Sequence, residues 1–217
     1  MTVSSGTRKA WRPIVWPPDG PTAAALREWL EGDIEADFYG LDLDFSGSDL
    51  SGGDLLETWL SGSRFTGALL RSTTFVRAHL EEADFTGADL AGANLAKAEG
   101  KKAVLRDARL LGANLTASQF RAADLTGADL TAATLGDATF SGATLAGANL
   151  TNATANRLAL RETVFDSAEV TGFSGSVVGP ISVVFRGERT LLDDEDLERW
   201  FAARGAKITR FHAEKPA

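Results

Sequence analysis

The stretch "ADFTGADLAGANLA", residues 83–96, places a large apolar residue at every fifth position. That spacing runs far beyond the stretch. Stepping by five from Phe45 to Val170 gives 26 positions, and 23 of them are Leu or Phe. The exceptions are Gly100, Ala155 and Val170. The residue two before each is Ala, Ser, Thr or Gly in every case but Leu43 and Leu158. Five residues of α-helix advance by about 500°, so the large side chains would scatter round the cylinder. A straight strand has period two, so alternate large residues would face water. Both shapes fail. Within one unit, however, the small and the large residue are two apart, and a short extended piece points both the same way. Turn-forming pairs such as Ser46-Gly47, Thr66-Gly67, Thr86-Gly87 and Thr126-Gly127 follow. A chain that turns the same way every five residues coils into a solenoid with its large residues inside.

The phenylalanines suggest four units per coil, because Phe45, Phe65 and Phe85 are twenty apart and Phe165 falls on the same series. Grouping by twenty predicts four interior columns. One of them is Phe45, Phe65, Phe85, Leu105, Leu125, Leu145 and Phe165. Gly100, in "AEGKK", interrupts another. Two readings of it stand: a local bulge, with Phe120 from the next coil filling part of the void, or a small protruding site. An empty Leu-sized hole would cost about 2–5 kcal/mol, so compensation is expected. Leu158 is expected to offset Ala155.

The period divides the chain into three parts. Residues 1–42 read as an extended segment and a capping helix, 43–172 as the solenoid, and 173–217 as a C-terminal cap or dimerisation element. A solenoid needs caps, because its ends otherwise expose apolar layers and open strand edges. In the N-terminal part, Thr22 is placed to cap a helix carrying Leu26, Trp29 and Leu30, with Gly32 as its stop. Phe38 in "ADFYG" lies out of register with Phe45, which suggests a slip at Leu41 and Asp42. In the C-terminal part the order reads strand, helix, strand: "ISVVF", "TLLDDEDLERWFAARG" with Thr190 as cap, and "KITRF". Trp200 and Phe201, on the apolar face of that helix, are the candidate dimer contact.

The chain of 217 residues carries a formal net charge of -8, which argues against direct nucleic-acid binding. With no cysteines there are no disulfides and no zinc–thiolate sites. No run of eighteen apolar residues occurs, which argues against a membrane span. The expected location is cytoplasmic.

Nothing in the sequence asks for catalysis. His79 and His212 lie in different regions, and His79 is expected to be solvated on the same side as Trp59 and Glu99. No P-loop or dinucleotide fingerprint occurs, and without cysteines or a His pair at helical spacing no metal or cofactor is expected. Function should therefore lie on the outside. The outward slot before each large residue holds Asp44, Asp84 and Asp124 on one side, and Asp49, Asp89, Asp129 and Glu169 on the next. These acids either bond nearby turn amides or present charge to a partner. Midway, Lys97, Lys101, Lys102, Arg106 and Arg109 form a basic belt or a basic site. Residues 43–172 contain 16 acids and 11 bases.

The tandem units "ADFTG", "ADLAG", "ANLAK", "ADLTG" and "ANLTN" resemble the pentapeptide-repeat family over about 130 residues. The resemblance implies an all-β fold, a right-handed quadrilateral parallel β-helix with one unit per side. About 6.5 coils at the spacing of stacked strands would make a rod roughly 31 Å long. Some members resemble B-DNA in size, shape and charge. They bind DNA gyrase or topoisomerase IV and modulate the enzyme or protect it from poisons such as quinolones. The resemblance also implies pairing through the C-terminal end into a homodimer. The basic belt departs from a full-length DNA mimic and restricts contact to the acidic ends. A general protein–protein interaction scaffold unrelated to gyrase is the other reading.

Overall fold

The structure, a computed structural model, describes residues 11–32, 37–185 and 188–211. From Tyr39 onward the chain winds into coils of twenty residues. The outward residue of each five pairs in parallel with the one a coil further on: Tyr39 with Trp59, Asp44 with Arg64, and so on to Asn149 with Glu169. Each coil therefore has four short sides and four turns.

The unit 85–89 shows how one side is held. Phe85 N–H donates to Val104 C=O at 2.7 Å and Gly87 N–H to Arg106 C=O at 2.8 Å, both in the next coil. Asp89 N–H donates to Ala68 C=O of the preceding coil at 2.9 Å, and Ala88 N–H closes the turn on Phe85 C=O at 2.9 Å. The remaining N–H, that of Thr86, donates to Asp84 Oδ1 at 2.9 Å. The second turn residue has positive φ at every unit, from Asp42 at 55° to Gly172 at 72°, the signature of a type II turn. Glycine takes only 11 of these 27 positions. At the others, coil-to-coil bonding overrides a left-handed penalty of about 1–2 kcal/mol per residue.

Inside, the small and large residues are almost all fully buried. Phe45, Phe65 and Phe85 stack nearly parallel with centroids 4.8 Å apart, and Phe75 meets Phe65 and Phe85 edge-on. Gly100 makes no bulge. Its N–H donates to Gln119 C=O at 2.9 Å in the ordinary pattern. A Cβ there would lie 2.2 Å from the Phe120 ring, so the ring fills the whole gap. The same exchange occurs at the top of that column. Gly40 stands in the large position and Phe38 in the small one, with the Phe38 ring 2.8 Å from where a Gly40 Cβ would be. Gly40 N–H donates to Trp59 C=O and Asp42 N–H to Ser61 C=O, so the coil begins in register and no slip occurs at Leu41 and Asp42. The solenoid thus starts near residue 38, earlier than the periodicity of large residues suggests. Leu158 is fully buried and Ala155 half-buried.

Helix α1, Gly20–Glu31, covers the N-terminal end with Leu26 and Leu30. Its cap is Asp19, not Thr22. Asp19 Oδ1 accepts the Thr22 N–H at 2.5 Å. Thr22 is instead buried one turn in, where its hydroxyl accepts the Asp44 N–H at 3.0 Å. That N–H would donate to a preceding coil, and none exists above it. Trp29 stacks on Phe38 at 4.9 Å and completes the cover.

At the other end the coils shorten. Strand β1, Thr154–Ala159, precedes β2, Thr163–Phe165. β3, Ser174–Val178, pairs parallel with β1 through an irregularity between Ala155 and Leu158. β4, Ile181–Phe185, pairs parallel with β2. β5, Glu188–Leu192, then folds back antiparallel on β4. Helix α2, Asp194–Ala202, is capped by Asp193, and β6, Lys207–Arg210, pairs parallel with β3. Thr190 is therefore in a strand. The residues read as the start of a helix pair with β4, because Asp193 offers the better cap four residues before Leu197. Leu197 and Phe201 bury completely, and Phe201 stacks on Phe173 at 5.6 Å, closing the column that ends in Phe165.

The Gly100–Phe120 exchange gives a direct test. Gly100→Leu alone overpacks and Phe120→Leu alone leaves a void, so each lowers stability by about 1–3 kcal/mol. The double substitution restores the Leu-on-Leu stacking of the other coils and recovers most of the loss. Urea melts of the four proteins measure this, and additive losses would show that the two sites do not share one space.

Candidate functional site

The outward acids are first of all turn residues. Asp44, Asp49, Asp84, Asp89, Asp124 and Asp129 each accept the N–H two residues on, at 2.9–3.1 Å. Glu169 does the same for Thr171. Asn94, Asn114 and Asn149 occupy equivalent slots with the same bond. An unpartnered N–H thus explains the Asp/Asn preference without any ligand.

Three of these acids are also neutralised by arginines. Arg64 reaches Asp44 at 2.5 Å and Arg106 reaches Asp124 at 2.5 Å. Asp89 is nearly buried between Arg71 at 2.7 Å and Arg109 at 3.3 Å. Burial pushes the Asp89 carboxyl up, but the Arg71 bond, the Ala91 N–H and the Arg109 charge outweigh it and hold it below the ordinary range. Asp124 is lowered in the same balance, by Thr126 and then Arg106 against burial. Asp44 is lowered chiefly by Ser46, and Glu169 chiefly by Thr171. Asp49, Asp84, Asp129 and Glu169 make no ion pair among the described residues.

The five bases do not gather into one patch. Lys102 pairs with Glu82 at 3.1 Å, and Arg106 and Arg109 pair with Asp124 and Asp89. By their place in the coil, Lys97, Lys101 and Arg106 lie at three different corners, with Lys102 beside Lys101, and Arg109 lies on a side. The belt encircles the rod and is largely internally compensated.

The dimer contact expected of Phe201 is not available. Phe201 is fully buried in its own chain, and Trp200 is half-buried edge-on to Phe165 with the Arg204 guanidinium over its ring. Beside Trp200, a cavity of about 310 Å³ is lined by Phe165, Val183, Leu192 and Arg204.

One outer side carries a feature that the spacing of acids does not reveal. Tyr39, Trp59 and His79 follow one another in the outward slot, one per coil. Tyr39 and Trp59 stack at 6.0 Å, and Trp59 and His79 at 3.8 Å. Tyr39 is 65% exposed and Trp59 38% exposed, so the ladder faces solvent. A shallow groove beside it is lined by Glu57, Arg77, Lys97, Glu99 and Gln119. His79 is not freely solvated. Its Nδ1 lies 3.5 Å from Glu81 and 3.8 Å from Glu99. The twenty-residue spacing of positions 39, 59 and 79 was the available signal for this ladder.

Four stretches, residues 34–67, 63–99, 101–137 and 128–166, match the family of pentapeptide repeats in eight copies, over more than half of the chain. The chain is a pentapeptide-repeat protein. Its four-sided coil is the right-handed β-helix of that family. Among solved structures, it is similar to QnrB1, described as a plasmid-mediated fluoroquinolone resistance protein, at 21% identity over 78% of this chain and 81% of that one, with a TM-score of 0.57. It is also similar to HetL from the cyanobacterium Nostoc sp. strain PCC 7120, described as involved in heterocyst differentiation regulation. That match has 26% identity over 64% of this chain and 73% of that one, with a TM-score of 0.38. No curated protein sequence matches it.

The carboxylates held low in the fold set its pH response. A depressed carboxylate adds stability above its unfolded pKa of about 4, and that stability is lost as pH falls through the folded value. Asp89→Asn keeps the oxygen that accepts the Ala91 N–H and removes the charge facing two arginines. It should lower stability by about 1–2 kcal/mol at neutral pH, a figure reduced for the exposure of both arginines. The difference from wild type should shrink as the pH falls below the ordinary carboxylate value of about 4 and through the depressed folded one. Urea melts across this range check it; a difference that stays constant would rule out the ion pairs as its source.

Proposed function

We propose that this protein is a non-enzymatic binding rod that acts by meeting a protein partner with its acidic outer sides. In its most specific form the partner is DNA gyrase or topoisomerase IV, with the rod standing in for B-DNA and modulating the enzyme or protecting it from quinolones. The observation that carries this reading is the set of carboxylates on two adjacent sides that no cation among the described residues neutralises: Asp84 on one, and Asp49, Asp129 and Glu169 on the other. Two coils separate Asp129 from Glu169, roughly 10 Å, and four separate Asp49 from Asp129, roughly 19 Å. Charges at that spacing add to a field without strongly repelling one another at moderate salt. The arginine-paired Asp44, Asp89 and Asp124 contribute less, so contact is restricted to the unpaired acids. Such a partner would place the protein in the cytoplasm.

The Tyr39–Trp59 ladder favours a second reading, a scaffold for an unrelated protein. Exposed stacked aromatics beside mixed charge are typical of protein-contact surfaces. For self-association, the support lies in β5, whose outer edge has no strand partner among the described residues and whose Leu191 is 59% exposed.

A supercoiling assay with purified gyrase, with and without a quinolone, separates the two partner readings. The gyrase reading expects inhibition or protection at micromolar protein. It also expects the triple substitution Asp49→Asn, Asp84→Asn, Asp129→Asn to weaken the effect by about tenfold, some 1.4 kcal/mol. Asparagine keeps each turn bond, so the fold survives while the charge goes. Tyr39→Ala should leave the effect unchanged. No effect of the wild-type protein on either reaction sinks the gyrase reading.

A further inference from the structure

His79, Glu81 and Glu99 come from two successive coils and one turn, and they aim their donor atoms at one point. One nitrogen and two carboxylate oxygens lie within 4.8 Å of one another. His79 Nδ1 is 3.5 Å from Glu81 Oε1 and 3.8 Å from Glu99 Oε2. Those separations exceed hydrogen-bond length. They are close to the roughly 3.3 Å edge of a tetrahedron built on metal–ligand bonds of about 2.0–2.1 Å.

The surroundings hold two of the three groups in place. Ser61, one coil above, donates its hydroxyl to Glu81 Oε2 at 2.7 Å, which leaves Oε1 turned toward the imidazole. The Trp59 ring lies flat on the imidazole at 3.8 Å and 15°. Such outer support fixes ligand orientation at metal sites. Charge is unbalanced as well. Elsewhere on the rod, glutamates pair with a base one coil away, as Glu57 does with Arg77 and Glu82 with Lys102. Among the described residues Glu81 and Glu99 pair with no Lys or Arg; Lys97 and Lys101 are the nearest bases along the coil, and neither makes an ion pair there.

We propose that His79, Glu81 and Glu99 form a binding site for a divalent first-row metal ion, with Zn(II) the best match, on the outer side of the rod. One imidazole and two carboxylates suit zinc and its neighbours in the series. With three protein ligands on a solvent-facing side, at least one coordination position stays open to water or to a donor from a partner. The search for cysteines and histidine pairs passes over such a site, because its ligands meet only when residues 79 and 99 stack across coils. The proposal does not depend on gyrase or on any other partner.

The test is calorimetric titration of the full chain with Zn(II) alone, alongside Co(II) titration followed by tryptophan fluorescence. The expected result is one Zn(II) per chain, with Co(II) quenching Trp59 because it binds the ring stacked beneath that indole. His79→Gln should lower affinity on the order of 100-fold and Ser61→Ala by about tenfold. Glu99 is half-exposed, so Glu99→Gln serves as the ligand variant least able to disturb folding, and it should also weaken binding. Trp59→Phe should abolish most of the quenching while leaving the Zn(II) stoichiometry unchanged. Equal Zn(II) affinity in wild type, His79→Gln and Glu99→Gln would overturn the proposal, as would no binding at millimolar Zn(II), which would leave the cluster an imidazole–carboxylate contact only.

Discussion

In each unit of this rod, four of the five N–H groups donate to backbone carbonyls, and three of those four reach another coil. The fifth has no backbone acceptor. Burying or half-burying such a group unpaired costs about as much as a lost hydrogen bond. The side chain immediately before the large residue can reach it, and a short side chain with an oxygen two bonds from Cβ reaches it best. Asp and Asn therefore fill that slot at Asp44, Asp84, Asn94, Asn114, Asp124 and Asn149. The acidity of the outer surface is thus partly a by-product of backbone bonding.

This origin bears on function. A carboxylate that serves a turn has one oxygen occupied and one free. Where an arginine stands a coil away, as at Asp44, Asp89 and Asp124, the free oxygen is taken as well. Asp84 and Asp129 also have an arginine one coil away, Arg64 and Arg109, but each of those bonds the acid on its other side, so the charge remains available. Which acid each arginine turns to, more than the acid itself, decides which carboxylates can meet a partner.

The interior was legible in the sequence because its period is rigid: one residue in five must be large, and its partner two before must be small. The ends were legible only in outline. Thr22 and Thr190 both carry the right side chain for a helix cap, yet Asp19 and Asp193 hold those positions. The choice turned on contacts across the fold. Thr22 is drawn to the unpaired Asp44 N–H, and Thr190 to the β4 edge. The start of the solenoid was obscured by Phe38, which reads as a large position out of step but fills the gap over Gly40. On the outside, the Tyr39–Trp59–His79 ladder was visible as a spacing, whereas the approach of Glu81 to His79 depends on the side-chain conformation that its bond to Ser61 selects.

The two glycine–phenylalanine exchanges carry a further consequence. Coils of near-identical sequence can in principle stack on the wrong neighbour, since a shift by one whole turn keeps every backbone bond. Along the column Gly40, Leu60, Leu80, Gly100, Phe120, Phe140 and Leu160, such a shift would take the Phe120 ring out of the gap at Gly100 and leave that gap empty, at a cost of about 2–5 kcal/mol. Phe38 locks the first coil in the same way. Each glycine gap is matched by one ring, so among many near-identical windings only the native one leaves neither gap empty.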